Sequence, residues 1–176
     1  ALVEAAIDLN AKELPEAWIP DLPAEVVAEY PEVLLVIRRR KAAEAVLRLH
    51  LGLHNDAAET YRELLEDPQA ADDDDAPLWH MGLAACEHAL GFPDRAHRAF
   101  EDAGLAISAC ERTLPRGRSA ATIVGMLEHL GERDEATGWR SFIERLECPA
   151  ETKKVFLRRA DHVLLRCKEA ARPLVL

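Results

Sequence analysis

Apolar residues recur at helical spacing along most of this chain. Between 31 and 51 they include Leu34, Leu35, Val46, Leu47 and Leu49, and between 55 and 66 Ala57, Ala58, Tyr61, Leu64 and Leu65 form one stripe. Steps of three and four residues place such side chains on one face of a helix. The same spacing predicts a helix that starts at Pro77 and runs through Trp79, Leu83 and Cys86 to Leu90. Further helices are expected over 93–112, with a weak point at Gly104, over 120–130, and over 132–147 with Trp139, Phe142, Ile143 and Leu146. A last one opens at Pro149 and runs to about 171, with Val155, Phe156, Ala160, Val163, Leu164 and Cys167 inward. Ahead of these, 1–13 reads as a helix remnant with Leu2, Ala5, Ala6 and Leu9 on one stripe. Pro15, Pro20 and Pro23 then break the chain around Trp18 and Ile19, read as packing plugs. A short helix from Pro23 must end near Tyr30, because the residue before Pro31 is pushed out of the helical region. Nine helical pieces and no strand result, separated most clearly at the polar loop 67–76 and at Pro115-Arg116-Gly117, which is read as a break before a helix starting at Ser119.

One phrase recurs three times: Gly52-Leu53-His54-Asn55-Asp56-Ala57, Gly91-Phe92-Pro93-Asp94-Arg95-Ala96 and Gly131-Glu132-Arg133-Asp134-Glu135-Ala136. A Leu precedes each Gly, and the intervals are 39 and 40 residues. Self-similarity at such a period marks a repeat architecture. A helix runs into Leu-Gly, and the Gly supplies the left-handed conformation that ends it. Asn55, Asp94 or Asp134 then falls where the next helix begins, as an N-cap or a first-turn acid. The following Ala lets two antiparallel helices approach closely. The pattern therefore predicts an all-α single domain over 1–176, built as a stack of antiparallel helix pairs. Residues 31–147 make three helix-turn-helix repeats, 1–30 cap the N-terminal end, and the helix over 149–171 caps the C-terminal end.

Charge narrows the function classes. The net charge of −10 argues against a general nucleic-acid binder, which needs a basic face for phosphates. Residues 55–75 hold nine acids and one base, whereas 151–172 hold seven bases and three acids. Both read as solvated helix faces and a polar loop, or as polarity that steers a partner. The run Arg38-Arg39-Arg40-Lys41 points almost all the way round a helix, so it makes no flat basic face. Pairing with Glu44 or acids of the first repeat is expected, with docking of an acidic partner as the other reading. No apolar run reaches the length of a membrane span, so no membrane insertion is expected. Cys86, Cys110, Cys148 and Cys167 lie far apart with no CxxC pair and read as free thiols of a reducing compartment. The cytoplasm is expected, or an organelle interior after loss of a transit peptide.

The residues at the repeated turns resemble the tetratricopeptide-repeat family, which has an Ala at the start of the second helix and an aromatic four residues on. Counted from each Gly, the Ala falls at plus five in all three units, and Tyr61 and Phe100 fall at plus nine. The third unit departs, with Arg140 at plus nine and Trp139 beside it. In the middle unit Trp79, Leu83, Ala84, Gly91, Ala96, Phe100 and Ala103 follow the family's pattern, with the Trp displaced by about one position. The family's usual period is about 34 residues, so longer helices or loops are expected here. The resemblance implies a right-handed superhelix, an α-solenoid, with a concave, non-catalytic surface that docks a peptide, helix or protein, or serves as a subunit in an assembly. Polar positions on the first helix of each pair are the candidate lining: Arg40, Glu44, Arg48, His80, Glu87, His88, Thr122 and Glu128.

A second stretch, Trp18 to Val27 followed by Tyr30-Pro31-Glu32-Val33-Leu34-Leu35, resembles the approach to the helical sensor region of large ATP-dependent LuxR-family transcription regulators. That resemblance implies an excised segment that senses a ligand or partner. Enzymatic chemistry finds little footing. His50 and His54 could share a helical face as metal ligands, but Gly52 ends the helix between them, and no HExxH follows. His80 and His88 beside Cys86 and Glu87 read as packing on a core helix sooner than as a nucleophile pair. Gly117 sits in a basic turn that could take an anion, or in a plain linker. No catalytic residue, metal site or cofactor is expected.

Overall fold

A computed structural model describes residues 33–68 and 73–170. The readings over 1–32, at 69–72 and at 171 lie outside these residues. Among the described residues the chain is all-helical, with seven helices and no strand: α1 (Val33–His50), α2 (His54–Glu66), α3 (Ala76–Ala89), α4 (Pro93–Ala109), α5 (Thr113–Leu130), α6 (Arg133–Arg145) and α7 (Ala150–Ala170). No described helix is long and apolar enough to cross a membrane.

The three repeated phrases fold into one turn used three times. Gly52, Gly91 and Gly131 have φ of 76°, 81° and 87°. In each, the Gly N–H donates three residues back, to the carbonyls of Leu49, His88 and Glu128, and the next N–H donates five back, to Arg48, Glu87 and Leu127. This is the Schellman ending, which satisfies the orphan carbonyls of a helix with a left-handed residue at its centre. The residue after the Gly then starts the following helix. Carbonyls of Leu53, Phe92 and Glu132 accept the N–H of Ala57, Ala96 and Ala136 at 3.0 Å. The N-cap is therefore that residue and not the Asn or Asp two positions on, and none of the three makes a side-chain cap bond. Asp56, Asp94 and Asp134 fall in the first turn, where a negative charge meets the positive end of the helix dipole. The plus-five alanines are all buried at the helix-helix contact.

Two boundaries differ from the sequence reading. α4 ends at Ala109 and runs unbroken through Gly104. α5 starts at Thr113, so Pro115-Arg116-Gly117 lies in its first turns and is not a break before a helix. Pro is tolerated there because the first N–H groups of a helix have no intrahelical acceptor. Gly117 and Gly125 are packing positions. A Cβ on Gly117 would run into the Phe156 ring, and one on Gly125 would lie 2.6 Å from the Ala160 carbonyl oxygen. These contacts set α7 alongside α5 and in the same direction.

α5 is the centre of the molecule. Ser119, Ala120, Ala121, Ile123, Val124 and Leu127 are buried on it, and it packs closely on α6 and α7. Ala103 and Ile107 of α4, Met81 of α3, Ile143 of α6 and Ala160 of α7 join the same core. A second core lies between α1, α2 and α3 around Tyr61, Leu64, Trp79 and Cys86. Cys86 is fully enclosed, and its thiol is pushed up to about 12, first by burial and then by neighbouring Glu87.

The basic run of α1 is largely paired within the chain. Arg38 meets Asp67 (3.5 Å) and Asp73 (3.4 Å), and Lys41 meets Glu63 (3.2 Å). The acidic loop before α3 distributes its charges: Asp73 to Arg38 of α1, Asp74 to Arg112 at the start of α5, and Asp75 to Arg118 of α5. That loop thus ties the first helix to the central one.

Candidate functional site

Consecutive helices pack closely in this stack except at two joints. α6 and α7 meet little, because α7 lies on α5 instead. α4 and α5 also touch only slightly, and there nothing among the described residues fills the gap. The two helices meet where Ala103 and Ile107 enter the core and diverge toward Pro93 and Leu130. The result is a cleft of about 600 Å³ between α4, the C-terminal half of α5 and the start of α6. This size lies in the usual range for ligand-binding clefts.

Its floor and its edge differ in chemistry. Phe100 and Gly104 of α4, Ile123, Leu127 and Leu130 of α5, and Trp139 of α6 make the apolar surface. Trp139 is held by Phe142, edge to face at 5.2 Å, and Phe142 in turn carries the Arg116 guanidinium 4.9 Å above its ring. Around this surface stand Asp94 and Glu101 of α4, Glu132 at the N-cap of α6 and Glu135 in its first turn, all exposed, with His88 and His97. No described lining residue is Lys or Arg. Among the described residues none of the four acids pairs with a Lys or Arg; Glu101 meets only His97, at 3.4 Å.

Of the eight candidate residues only His88 reaches this cleft. Arg40 is half-buried on α1. Arg48 donates to Glu44 and to Thr60 of α2, both at 2.6 Å, beside a smaller polar groove between α1 and α2. Glu87 is almost fully buried, its Oε1 accepting from Arg62 Nη2 of α2 at 2.5 Å, with Arg95 of α4 3.9 Å from Oε2. Glu128 accepts from Arg140 Nε of α6 (2.8 Å), and Arg140 Nη2 donates to Asp161 of α7 (3.0 Å). Thr122 accepts from Arg159 Nε of α7 (3.3 Å). Glu44, Arg48, Glu87, Thr122 and Glu128 are thus joined to neighbouring side chains, most of them across a helix-helix contact, and alanine there removes a tie of the fold as well as a surface group.

His80 is half-buried on α3, and burial lowers its pKa, with nearby Asp102 opposing. A folded pKa below the unfolded value near 6.5 means that the native state prefers the neutral ring. The stability contributed is present above that value and lost as pH falls through the folded one. His80→Gln should flatten the fall in melting temperature between about pH 7 and pH 5. An unchanged slope would place the pH sensitivity elsewhere.

The cleft was not signalled by the polar positions of the first helices, but its wall had a trace in the sequence. In the third unit the aromatic moves from plus nine to plus eight, which turns Trp139 by about 100° round the helix axis. Trp139 lines the cleft opposite Phe100, and Arg140 takes the position beside Glu128. Comparison with protein-family models, curated proteins and solved structures finds no match to this chain. Among the described residues no three His, Cys, Asp or Glu side chains converge on a common point that could hold a metal ion.

Proposed function

We propose that this chain is a tetratricopeptide-like docking module: a right-handed superhelical stack of antiparallel helix pairs that binds a partner peptide or helix without acting on it chemically. The supporting observation is the α4–α5–α6 cleft, a space of about 600 Å³ with an apolar floor, left open at a joint between otherwise close-packed pairs. A concave site with an apolar floor and polar groups around its edge is the form that ligand-binding clefts take. The three Schellman turns support the repeat reading, since one local geometry built three times stacks equivalent helix pairs.

Gly104 offers a direct test, because it lines the cleft and a Cβ there meets only Trp139, at 3.3 Å. Gly104→Leu projects a side chain into the cleft from its α4 wall, and the gain in helix propensity of roughly 1 kcal/mol offsets the small shift asked of Trp139. Tagged wild-type chain should retain a stoichiometric protein from its native source after a salt wash, and Gly104→Leu should lose it while melting within a few degrees of wild type. Equal retention by both would overturn the cleft assignment, and a wild-type chain that retains no protein would overturn the docking reading itself.

A further inference from the structure

We infer that the occupant of the cleft is a cationic amphipathic helix, an inference that rests on the docking reading above. Three observations converge on it. The edge carries Asp94, Glu101, Glu132 and Glu135 with no described Lys or Arg among or paired to them, so the cleft concentrates negative potential over an apolar floor. A ligand that buries apolar groups there while presenting Lys or Arg to both edges satisfies the whole surface at once, and an anionic one is repelled by four carboxylates. The shape points to a helix. The open flank of α4 from Pro93 to Gly104 is roughly 16 Å long, and two helices diverging over an apolar seam form the seat into which a third packs by ridges and grooves.

On the opposite face of α5 a helix is already seated. There α7 lies along Gly117 and Gly125, packs Phe156 and Ala160 inward, donates from Arg159 to Thr122 of α5, and accepts at Asp161 from Arg140 of α6. The cleft presents a further seat on the same central helix, with acidic edges where the α7 seat carries Arg118 and Arg140.

Two synthetic peptides test the inference by fluorescence anisotropy. Both are roughly 18 residues of Ala and Leu, long enough to be helical alone, with Leu at every third or fourth position; one carries Lys on its flanks and the other Glu. The Lys peptide should bind wild-type chain at least about 10-fold tighter than the Glu peptide at low salt, with the difference shrinking as salt rises. Glu132→Gln/Glu135→Gln should cut that preference by about 3-fold or more, whereas Glu59→Gln/Glu66→Gln on α2 should leave it unchanged. Gly104→Leu should abolish binding. Equal binding of the two peptides, a preference indifferent to Glu132 and Glu135, or no saturable binding of either would overturn the inference. The docking reading is judged separately, by whether the wild-type chain retains a stoichiometric protein from its native source.

Discussion

Gly125→Ala is expected to lower the melting temperature by roughly 2–4 °C, although Gly to Ala in a helix interior normally stabilises by about 1 kcal/mol. A Cβ at 125 would lie 2.6 Å from the Ala160 carbonyl oxygen and 2.7 Å from Val163 Cβ. The first of these is backbone, which cannot swing aside, so α7 must lift from α5 as a body. Overpacking of this kind costs about 1–3 kcal/mol and sometimes more, enough to reverse the propensity gain. Gly117→Ala is the control. There the obstacle is the Phe156 ring, a side chain with a rotatable bond, so the loss should be smaller. Thermal melts followed by circular dichroism give both numbers, and a Gly125→Ala protein that melts at or above wild type would show that α7 is not seated on α5 as described.

Arg62→Ala should cost about 2–3 kcal/mol, most of it through the residue left behind. Glu87 has 4% of its side chain exposed and takes its one short hydrogen bond from Arg62, while Arg95 stands 3.9 Å away. Removing one member of a buried pair costs about 3–5 kcal/mol when the other stays charged and dry. Two features reduce that figure here: Arg62 is 44% exposed, so part of the attraction is screened, and Arg95 can move closer. Replacing both residues, as Arg62→Ala/Glu87→Met, should recover most of the loss, because an apolar side chain of similar volume has no charge to strand. Urea denaturation of the two singles and the double closes the cycle. A double variant no more stable than Arg62→Ala alone would mean that Glu87 is not the origin of the cost.

The turns were the most legible part of the fold. Leu-Gly followed by a first-turn acid and an Ala at plus five specifies where one helix stops, where the next starts and how closely they approach, all within seven residues. The pairing of Arg38 and Lys41 with acids of the first repeat was legible too, since four basic residues in a row cannot share a face. Pro115 and Gly117 misled because each has two uses. Pro breaks a helix interior but opens a helix, and Gly ends a helix but also admits a neighbouring ring, and only the position of Phe156 decides between them.

The candidate site was less legible, for a physical reason. Repeats written at constant spacing imply uniform stacking, so the sequence carries no mark for the one pair joint that opens. Polar groups on the first helices were read as a lining because they repeat. The structure uses Arg48, Glu87, Thr122 and Glu128 in side-chain bonds to Thr60, Arg62, Arg159 and Arg140 of other helices. The apolar wall of the cleft left only the shift of Trp139 to plus eight as a trace, since Phe100 and Trp139 satisfy a core pattern in the sequence whether they end in a core or beside one.

The most direct measurement is site-specific photo-crosslinking to the native partner. A photoreactive side chain is placed in turn at His97 and Glu135, on opposite edges of the cleft, and at Asp56 and Glu59, exposed on α2. If the cleft is the docking site, one partner crosslinks from both His97 and Glu135 and from neither α2 position, and the adducts vanish in the Gly104→Leu background. A partner that crosslinks from α2 and not from the cleft edges would contradict the assignment outright.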